Sequence, residues 1–375
     1  MMKKPIHVLI IGMSDITGGV ETLLFSIFKN IDRETIRFDF MTFSQKCAFE
    51  DELVAGGAEV FHITRRRESP SRHKQELIDF FKSHPTDYDY VWFHLCSASN
   101  SLPIVLAKKY TNAITVCHSH CTSFDSNPIL RPVHMLLGKL NEPKFFASTD
   151  VCYGCSKAAW DYLFKGSGKP VHLLDNGIDL NKFKFKPEIR ESLRKEMHIS
   201  PETTVIGHAG RFCATKNQSF LIDIFKAFHD KHCDSVLLLA GTGETLEEMK
   251  QKAVDLGLQD AIQFLGFRSD FNDLLQAFDL FLMPSLFEGL PITAVEAQTA
   301  GVPCLLADTI TSETAITDIV QFASLEQPIS SWVDSMENLL SMHQDRISYV
   351  LKVKEAGYDF MDTVKNVTDF FTSAQ

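Results

Sequence analysis

The feature that most constrains this chain is an alternation that runs through it twice: short apolar runs separated by stretches with helical period. Runs of four to six apolar residues read as buried strands, and helical stretches between them are long enough to carry the chain back to a parallel neighbour. In the first half the strand candidates are His7–Ile11, Phe38–Phe43, Glu59–Ile63, Tyr90–His94, Ile114–Val116, Val151–Tyr153 and Val171–Leu174. The first crossover helix is plain, because Val20, Leu23, Leu24, Ile27 and Phe28 recur on one helical face. A polar, Lys-rich stretch after Asn176-Gly-Ile-Asp179, to about Glu202, reads as a linker. A second series follows with strands Val205–His208, Val236–Ala240, Ile262–Phe264, Leu280–Met283 and Val302–Leu306. Helices Gln218–His229, Thr245–Leu256, Asp270–Ala277 and Pro291–Ala300 lie between them.

A chain of 375 residues has room for two full cores. The expected fold class is therefore α/β, with two doubly wound domains facing each other across a cleft. Their expected extents are residues 1–180 and 181–375, with the final helices able to pack back on the first domain. Ligands in such sheets bind beyond the carboxyl ends of the strands, where the strand order reverses.

Bulk properties narrow the chemistry. No apolar run approaches the roughly 18 residues that a membrane span needs, and the apolar stretch near the start is too short for a signal peptide. Nine scattered cysteines suit buried thiols in a reducing compartment, so a soluble cytoplasmic protein is expected. Residues 1–180 carry 20 Lys+Arg and 20 Asp+Glu, which leaves 37 − 20 = 17 against 48 − 20 = 28 in the second half. The whole net charge of −11 therefore falls in residues 181–375, and nucleic acid is disfavoured as a partner. Arg65-Arg-Arg67 with Arg72 and Lys74 could hold the protein peripherally against an anionic inner-membrane surface, or could be a solvated basic loop.

Several residues stand where chemistry is expected. Gly18 and Gly19 precede the first helix; they could let a backbone approach phosphate or could make a plain turn. After strand Val205–His208, Arg211 and Lys216 can reach a diphosphate leaving group. In Pro284-Ser-Leu-Phe-Glu-Gly-Leu-Pro-Ile-Thr-Ala-Val-Glu296, Pro291 fits the first helical position, which aims the helix N-terminus at the same place. Carboxylates repel phosphate, so Glu296 suits a ribose diol and Glu288 the hydroxyls of a donor sugar.

On these residues the sequence resembles a retaining glycosyltransferase of the GT-B fold, with two Rossmann-like domains. The likeness is to the large family 4 group that builds bacterial capsular, exopolysaccharide and lipid-linked glycans. The matching residues are Gly18-Gly-Val-Glu21, Asn176-Gly-Ile-Asp179, Arg211 with Lys216, Gly241-Thr-Gly-Glu244, and Glu288 with Glu296. The resemblance implies that Arg211 and Lys216 hold the nucleotide diphosphate, that Gly19 contributes backbone, and that Phe267 flanks the base. It implies that Gly289, Leu290 and Ile292 offer N–H groups to phosphate and sugar. It also implies a front-face displacement, without metal or cofactor, moving a hexose or N-acetylhexosamine from a nucleotide diphosphate sugar, expected to be UDP, to a glycan or lipid-linked acceptor. A sugar-nucleotide epimerase of similar fold and a non-catalytic sugar-nucleotide-binding subunit are the rival readings.

Three stretches look like other chemistries. Asp87-Tyr-Asp89 mimics a metal-binding D-x-D but precedes its strand, at the end away from the cleft. Cys152-Tyr-Gly-Cys155 lacks the helix placement of a redox pair and reads as buried cysteines. In Val116-Cys-His-Ser-His-Cys121, alternation puts Cys117, Ser119 and Cys121 on one side and His118 and His120 on the other, so four convergent ligands are not expected. By resemblance His118 sits beside the donor sugar, orienting hydroxyls; His120 reads as a satisfied strand-end histidine.

Overall fold

The computed structural model describes residues 4–16, 18–95, 97–120, 131–342 and 345–373, with side chains from 133 onward in the fourth of these segments. Cys96 and Cys121, the latter closing the Cys/His stretch, lie outside the described residues. The chain divides into two compact units, Met1–Asn176 with Met361–Gln375, and Gly177–Phe360.

The first unit is a seven-stranded parallel sheet. Its strands are β1 (Ile6–Met13), β2 (Ile36–Thr42), β3 (Val60–His62), β4 (Tyr90–Leu95), β5 (Ile114–Ser119), β6 (Val151–Gly154) and β7 (His172–Leu173), in the order β3-β2-β1-β4-β5-β6-β7. The second unit has six: β8 (Thr204–Ala209), β9 (Ser235–Ala240), β10 (Ile262–Gly266), β11 (Leu280–Met283), β12 (Cys304–Ala307) and β13 (Val320–Ala323), in the order β10-β9-β8-β11-β12-β13. Each sheet is wound outward in both directions from its first strand. The crevice between β1 and β4, and that between β8 and β11, are therefore where ligands are expected in such sheets.

Burial explains why these segments are strands. Ile10, Ile11, Val91 and Phe93 in the first sheet, and Leu237, Leu238 and Leu239 in the second, are fully buried, as strands covered by helices on both faces must be. The helix Gly19–Asn30 buries Leu23, Leu24, Ile27 and Phe28 on the stripe expected from its sequence.

Three expectations need correction. The stretch taken for a linker forms helices Leu180–Phe183 and Pro187–Glu196, with Leu180, Phe183 and Leu193 buried in the core of the second unit. Its charges did not signal solvent, because the Arg194 guanidinium donates to the carbonyl of Ala277 and to Asp279 at 2.5 Å, capping the end of the helix Phe271–Ala277. Pro291 stands one residue before the helix Ile292–Thr299, extended at φ −72° and ψ 105°, and not within its first turn. Strand β13 was not foreseen; four residues, Val-Gln-Phe-Ala, give too short a run to be read without the neighbour β12 that pairs with it.

The C-terminal helix Phe360–Ser373 packs on the first sheet. Phe371 is fully buried, with its ring 4.8 Å from that of Tyr90 and 5.4 Å from that of Trp92. Burying one such ring contributes about 1.5–3 kcal/mol, enough to hold a chain end in place.

Candidate active site

In the second unit, three loops at the carboxyl ends of the strands are fastened together. After β8 the chain passes Gly210 and Arg211, makes a short turn over Ala214–Lys216 and reverses at Asn217, which is left-handed at φ 54°. Asn217 donates its side-chain amide to the carbonyl of Pro284 at 3.1 Å, and the N–H of Leu286 donates to Thr215 at 2.8 Å. These two bonds join the loop after β8 to the loop after β11 across the switch point. The loop after β9 completes the floor. Gly241, at φ +137°, must be glycine, since a Cβ there would stand 2.0 Å from the carbonyl oxygen of Gly210. The Phe212 N–H donates to Thr242 at 2.9 Å.

On this floor the charged residues are arranged in pairs. Lys216 Nζ lies 2.5 Å from Glu288 Oε1, with both side chains mostly buried. Arg211 and Glu244 meet at 3.1 Å with both side chains largely in solvent. The buried pair is therefore much less screened than the exposed one. His208, beneath Lys216, donates Nδ1–H to the carbonyl of Leu282 at 2.9 Å, and burial lowers its pKa to about 4, so it is a neutral support. Glu296, in the second turn of the helix Ile292–Thr299, has no hydrogen-bond or ion-pair partner for its carboxyl among the described residues. Burial pushes its pKa up to about 8, against the pull of the Lys182 charge. Gly289, Leu290 and Ile292 lie around the start of the same helix, each partly exposed, where N–H groups lack intrahelical acceptors. Phe267 stands just beyond β10, 75% exposed.

The strand ends of the first unit are built differently. Gly12, at φ +142°, lets β1 pass close to β4; a Cβ there would stand 2.7 Å from that of His94. Gly18 precedes the helix Gly19–Asn30, and open space lies where a Cβ on Gly19 would point. Glu21 folds back here and accepts the Ser14 hydroxyl at 2.7 Å, so a negative charge already faces the helix start. His118, at the end of β5, is fully buried, and neither ring nitrogen has a partner among the described residues. Its ring is parallel to that of Trp92, with centroids 6.0 Å apart, and lies 4.1 Å from that of His120. His120 was expected to be satisfied; it bonds His94 through Nε2 at 2.8 Å, but Nδ1 has no partner among the described residues. Sequence reasoning missed His94, although it is the register partner of His118 on β4 and ends an apolar run in the same way.

Of the basic cluster, Arg65 is used internally, while Arg66, Arg67, Arg72 and Lys74 are exposed. Arg65 bonds Asp15 at 2.8 Å, the Ser44 hydroxyl at 2.7 Å and the carbonyl of Phe43, tying together the loops after β1, β2 and β3. Arg72 pairs with Glu76 at 2.6 Å. Asp89 stands at the start of β4, where it accepts the His7 N–H at 2.9 Å, and Cys152 and Cys155 are buried. No described helix is long and apolar enough to cross a membrane.

Comparison with known proteins agrees with this architecture. Residues 189–354 match the family model for glycosyl transferases group 1. EpsF of Bacillus subtilis, a glycosyltransferase by name, is 28% identical over 96% of this chain and 94% of its own. The Escherichia coli UDP-Gal:α-D-GlcNAc-diphosphoundecaprenol α-1,3-galactosyltransferase is 32% identical over a shorter stretch, 37% of this chain and 36% of its own. Among solved structures, Anabaena HepE in complex with UDP and glucose superposes with a TM-score of 0.76 at 19% identity, covering 98% of this chain and 99% of that one. The two parallel sheets are those of the GT-B glycosyltransferases. The match over residues 189–354 and the end-to-end likeness to EpsF mark the chain as an enzyme of the glycosyltransferase class.

Proposed function

We propose that the protein is a retaining glycosyltransferase that moves a hexose or N-acetylhexosamine from a UDP-sugar to a glycan or lipid-linked acceptor, without a metal. The observation that carries this reading is the set Arg211, Lys216, Glu288 and Glu296 at the β8/β11 switch point. Two cations there are neutralised by two carboxylates, Glu288 and Glu244, while a third carboxyl, that of Glu296, has no partner among the described residues. A diphosphate would displace the carboxylates from Arg211 and Lys216, and the freed Glu288 would accept donor-sugar hydroxyls. Glu296 would take the ribose diol, Phe267 would flank the base, and Gly289, Leu290 and Ile292 would direct N–H groups at phosphate and sugar. Gly18 and Gly19 would offer backbone, and His118 would orient sugar or acceptor hydroxyls.

The same cations would stabilise the departing diphosphate, whose oxygen takes the proton of the incoming hydroxyl as the new glycosidic bond forms on the same face. Positioning and charge stabilisation then supply the catalysis. UDP is supported by the HepE complex and by the donor in the E. coli enzyme's name; a lipid-linked acceptor is supported by the same name. An acceptor of that kind would bring the enzyme to a membrane surface. On the helix Arg131–Ser148 the exposed Val133, Leu136, Leu137 and Leu140 form one apolar stripe suited to such contact.

The test is incubation with a panel of UDP-, GDP- and ADP-sugars while free nucleotide is measured. UDP release from one hexose donor is expected. Release of GDP or ADP alone would overturn the base assignment, and epimerised donor with no released nucleotide would establish the rival epimerase.

A further inference from the structure

At the amino ends of β8, β11 and β12 the second unit holds an open cavity of about 400 Å³, a size that takes small organic ligands. Thr204, Asp279 and Pro303, which line it, stand at or just before the three strand starts. It therefore opens on the edge of the sheet opposite the loops that carry Arg211 and Lys216.

Three guanidiniums gather here around one carboxylate. Asp279 accepts from Arg190 at 2.5 Å through Oδ1 and from Arg194 at 2.5 Å through Oδ2, which also takes the N–H of Val205 at 2.8 Å. Arg346 is left with carbonyls: those of Ala300 at 3.0 Å, Phe278 at 3.0 Å and Leu275 at 3.4 Å. Arg190 shares the Phe278 carbonyl with it, at 3.1 Å, so the two cations are close neighbours. Phe185 lies under the Arg346 guanidinium, 4.0 Å from its central carbon, and fixes its plane. Against three positive charges stand Asp279 and about half a negative charge at the end of the helix Phe271–Ala277. The cluster is short of negative charge, and burial together with the Arg190 charge lowers the Arg346 pKa to about 9. Residues 181–375 carry the whole −11, so a cation excess at this place runs against its surroundings.

We propose that this cavity binds the phosphate group of a small phosphate monoester, with Arg190 and Arg346 as the residues that contact it. The site is separate from the one proposed for the sugar nucleotide and does not depend on that reading.

The donors for such a ligand are present. A guanidinium has five N–H groups. Arg346 spends one at each of its three nitrogens on a carbonyl, which leaves one at Nη1 and one at Nη2. Arg190 uses Nη1 and Nη2, and its Nε–H has no acceptor among the described residues. Phosphate oxygens only accept, and a monoester carries close to two negative charges at neutral pH, so donors and charge are matched together. A polyol would leave the charge excess in place, and a carboxylate would offset less of it. Pro303, Leu340 and Met342 give the cavity an apolar wall, which suits the organic part of the ester. The other carboxylate that lines it, Glu202, is exposed and would repel the ligand across solvent.

The experiment is calorimetric titration of the full chain with inorganic phosphate and with phenyl phosphate, at constant ionic strength and with saturating UDP to fill the loops around Arg211 and Lys216. One site per chain is expected, with phenyl phosphate at least about threefold tighter than inorganic phosphate, because its ring meets the apolar wall. Arg190→Gln and Arg346→Gln should each weaken binding about 10-fold or more. Glu202→Gln should tighten it about two- to threefold, a gain that shrinks with added salt. Lys216→Ala should leave both isotherms as they are. Should Arg346→Gln not fold, Arg190→Gln and Glu202→Gln still decide. No binding of either compound, binding that survives both arginine substitutions, or an affinity that Glu202→Gln does not move would overturn the site. Isotherms lost in Lys216→Ala would overturn it too, by placing the phosphate in the other loops. Inorganic phosphate binding as tightly as phenyl phosphate would overturn the assignment to an ester.

Discussion

The two sheets are wound in the same order, yet the ends of their central strands are chemically opposite. In the second unit the loops after β8, β9 and β11 present Arg211, Lys216, Glu244 and Glu288 as two ion pairs, one open to solvent and one enclosed. In the first, the ends of β4 and β5 present three imidazoles that burial keeps neutral, and the start of the helix Gly19–Asn30 faces the Glu21 carboxylate. The whole −11 charge lies in residues 181–375, so these two cations are placed against the trend of their surroundings. Shared topology decides where a ligand can sit, and the side chains at that place decide whether it is a polyanion or a polyol.

The sharpest way to break this contrast is to remove one residue from each side. Lys216→Ala leaves Glu288 mostly buried without its counter-charge and takes a cation from the proposed diphosphate site. Transfer should fall by about 10²–10³-fold, with weaker UDP binding. His118→Ala should cost about 10²-fold in transfer and leave the UDP dissociation constant within about twofold. Calorimetry with UDP and nucleotide-release assays on both variants measure this. If His118→Ala weakened UDP as much as Lys216→Ala does, the assignment of polyanion to one unit and polyol to the other would fail.

How far this could be read beforehand follows from what each feature depends on. Helix and strand periods are local, so the alternation along the chain was legible, as was the placing of Arg211, Lys216 and Glu288 after strands. The ion pair between Lys216 and Glu288 joins residues 72 apart in sequence, and no spacing rule predicts that they neutralise each other. His94 was missed for the same reason, since its link to His118 is a register between neighbouring strands. Residues 187–196 were misread because charge was taken for exposure. Arg190 and Arg194 in fact turn inward to the carbonyls that end a helix and to Asp279.

A smaller effect tests the carboxyl that no described residue pairs. The Glu296 pKa is raised in the folded chain from 4.5 to about 8. A carboxyl raised on folding favours the folded state while it is protonated. That contribution is fully present below the unfolded value of about 4.5 and is lost as pH rises through about 8. Without ligand, the wild type should therefore lose thermal stability across this window, and Glu296→Gln should flatten the slope. In nucleotide binding, Glu296→Ala should weaken UDP by about 1–3 kcal/mol, the cost of leaving the ribose hydroxyls without this carboxyl, while Glu288→Ala should mainly slow turnover. An unchanged UDP affinity in Glu296→Ala would end the ribose assignment.

The smallest effect concerns the exposed pair. Arg211 is held by Glu244, and to bind phosphate its guanidinium must leave that carboxylate. Exposed ion pairs contribute little, so breaking this one costs little, but Glu244 also repels the incoming diphosphate. Glu244→Gln keeps the size and the hydrogen-bonding oxygen and removes the charge. UDP should then bind about two- to fivefold more tightly at low salt. The gain should shrink as ionic strength rises toward the point where the Debye length, about 8 Å at 0.15 M, falls below the separation of the charges. The buried pair sets the contrast: Glu288→Gln, being enclosed, should change UDP affinity by an amount that salt hardly alters. Equal salt dependence in the two variants would mean that Lys216 and Glu288 are as solvated as Arg211 and Glu244, and the division into an enclosed cation and an open one would be wrong.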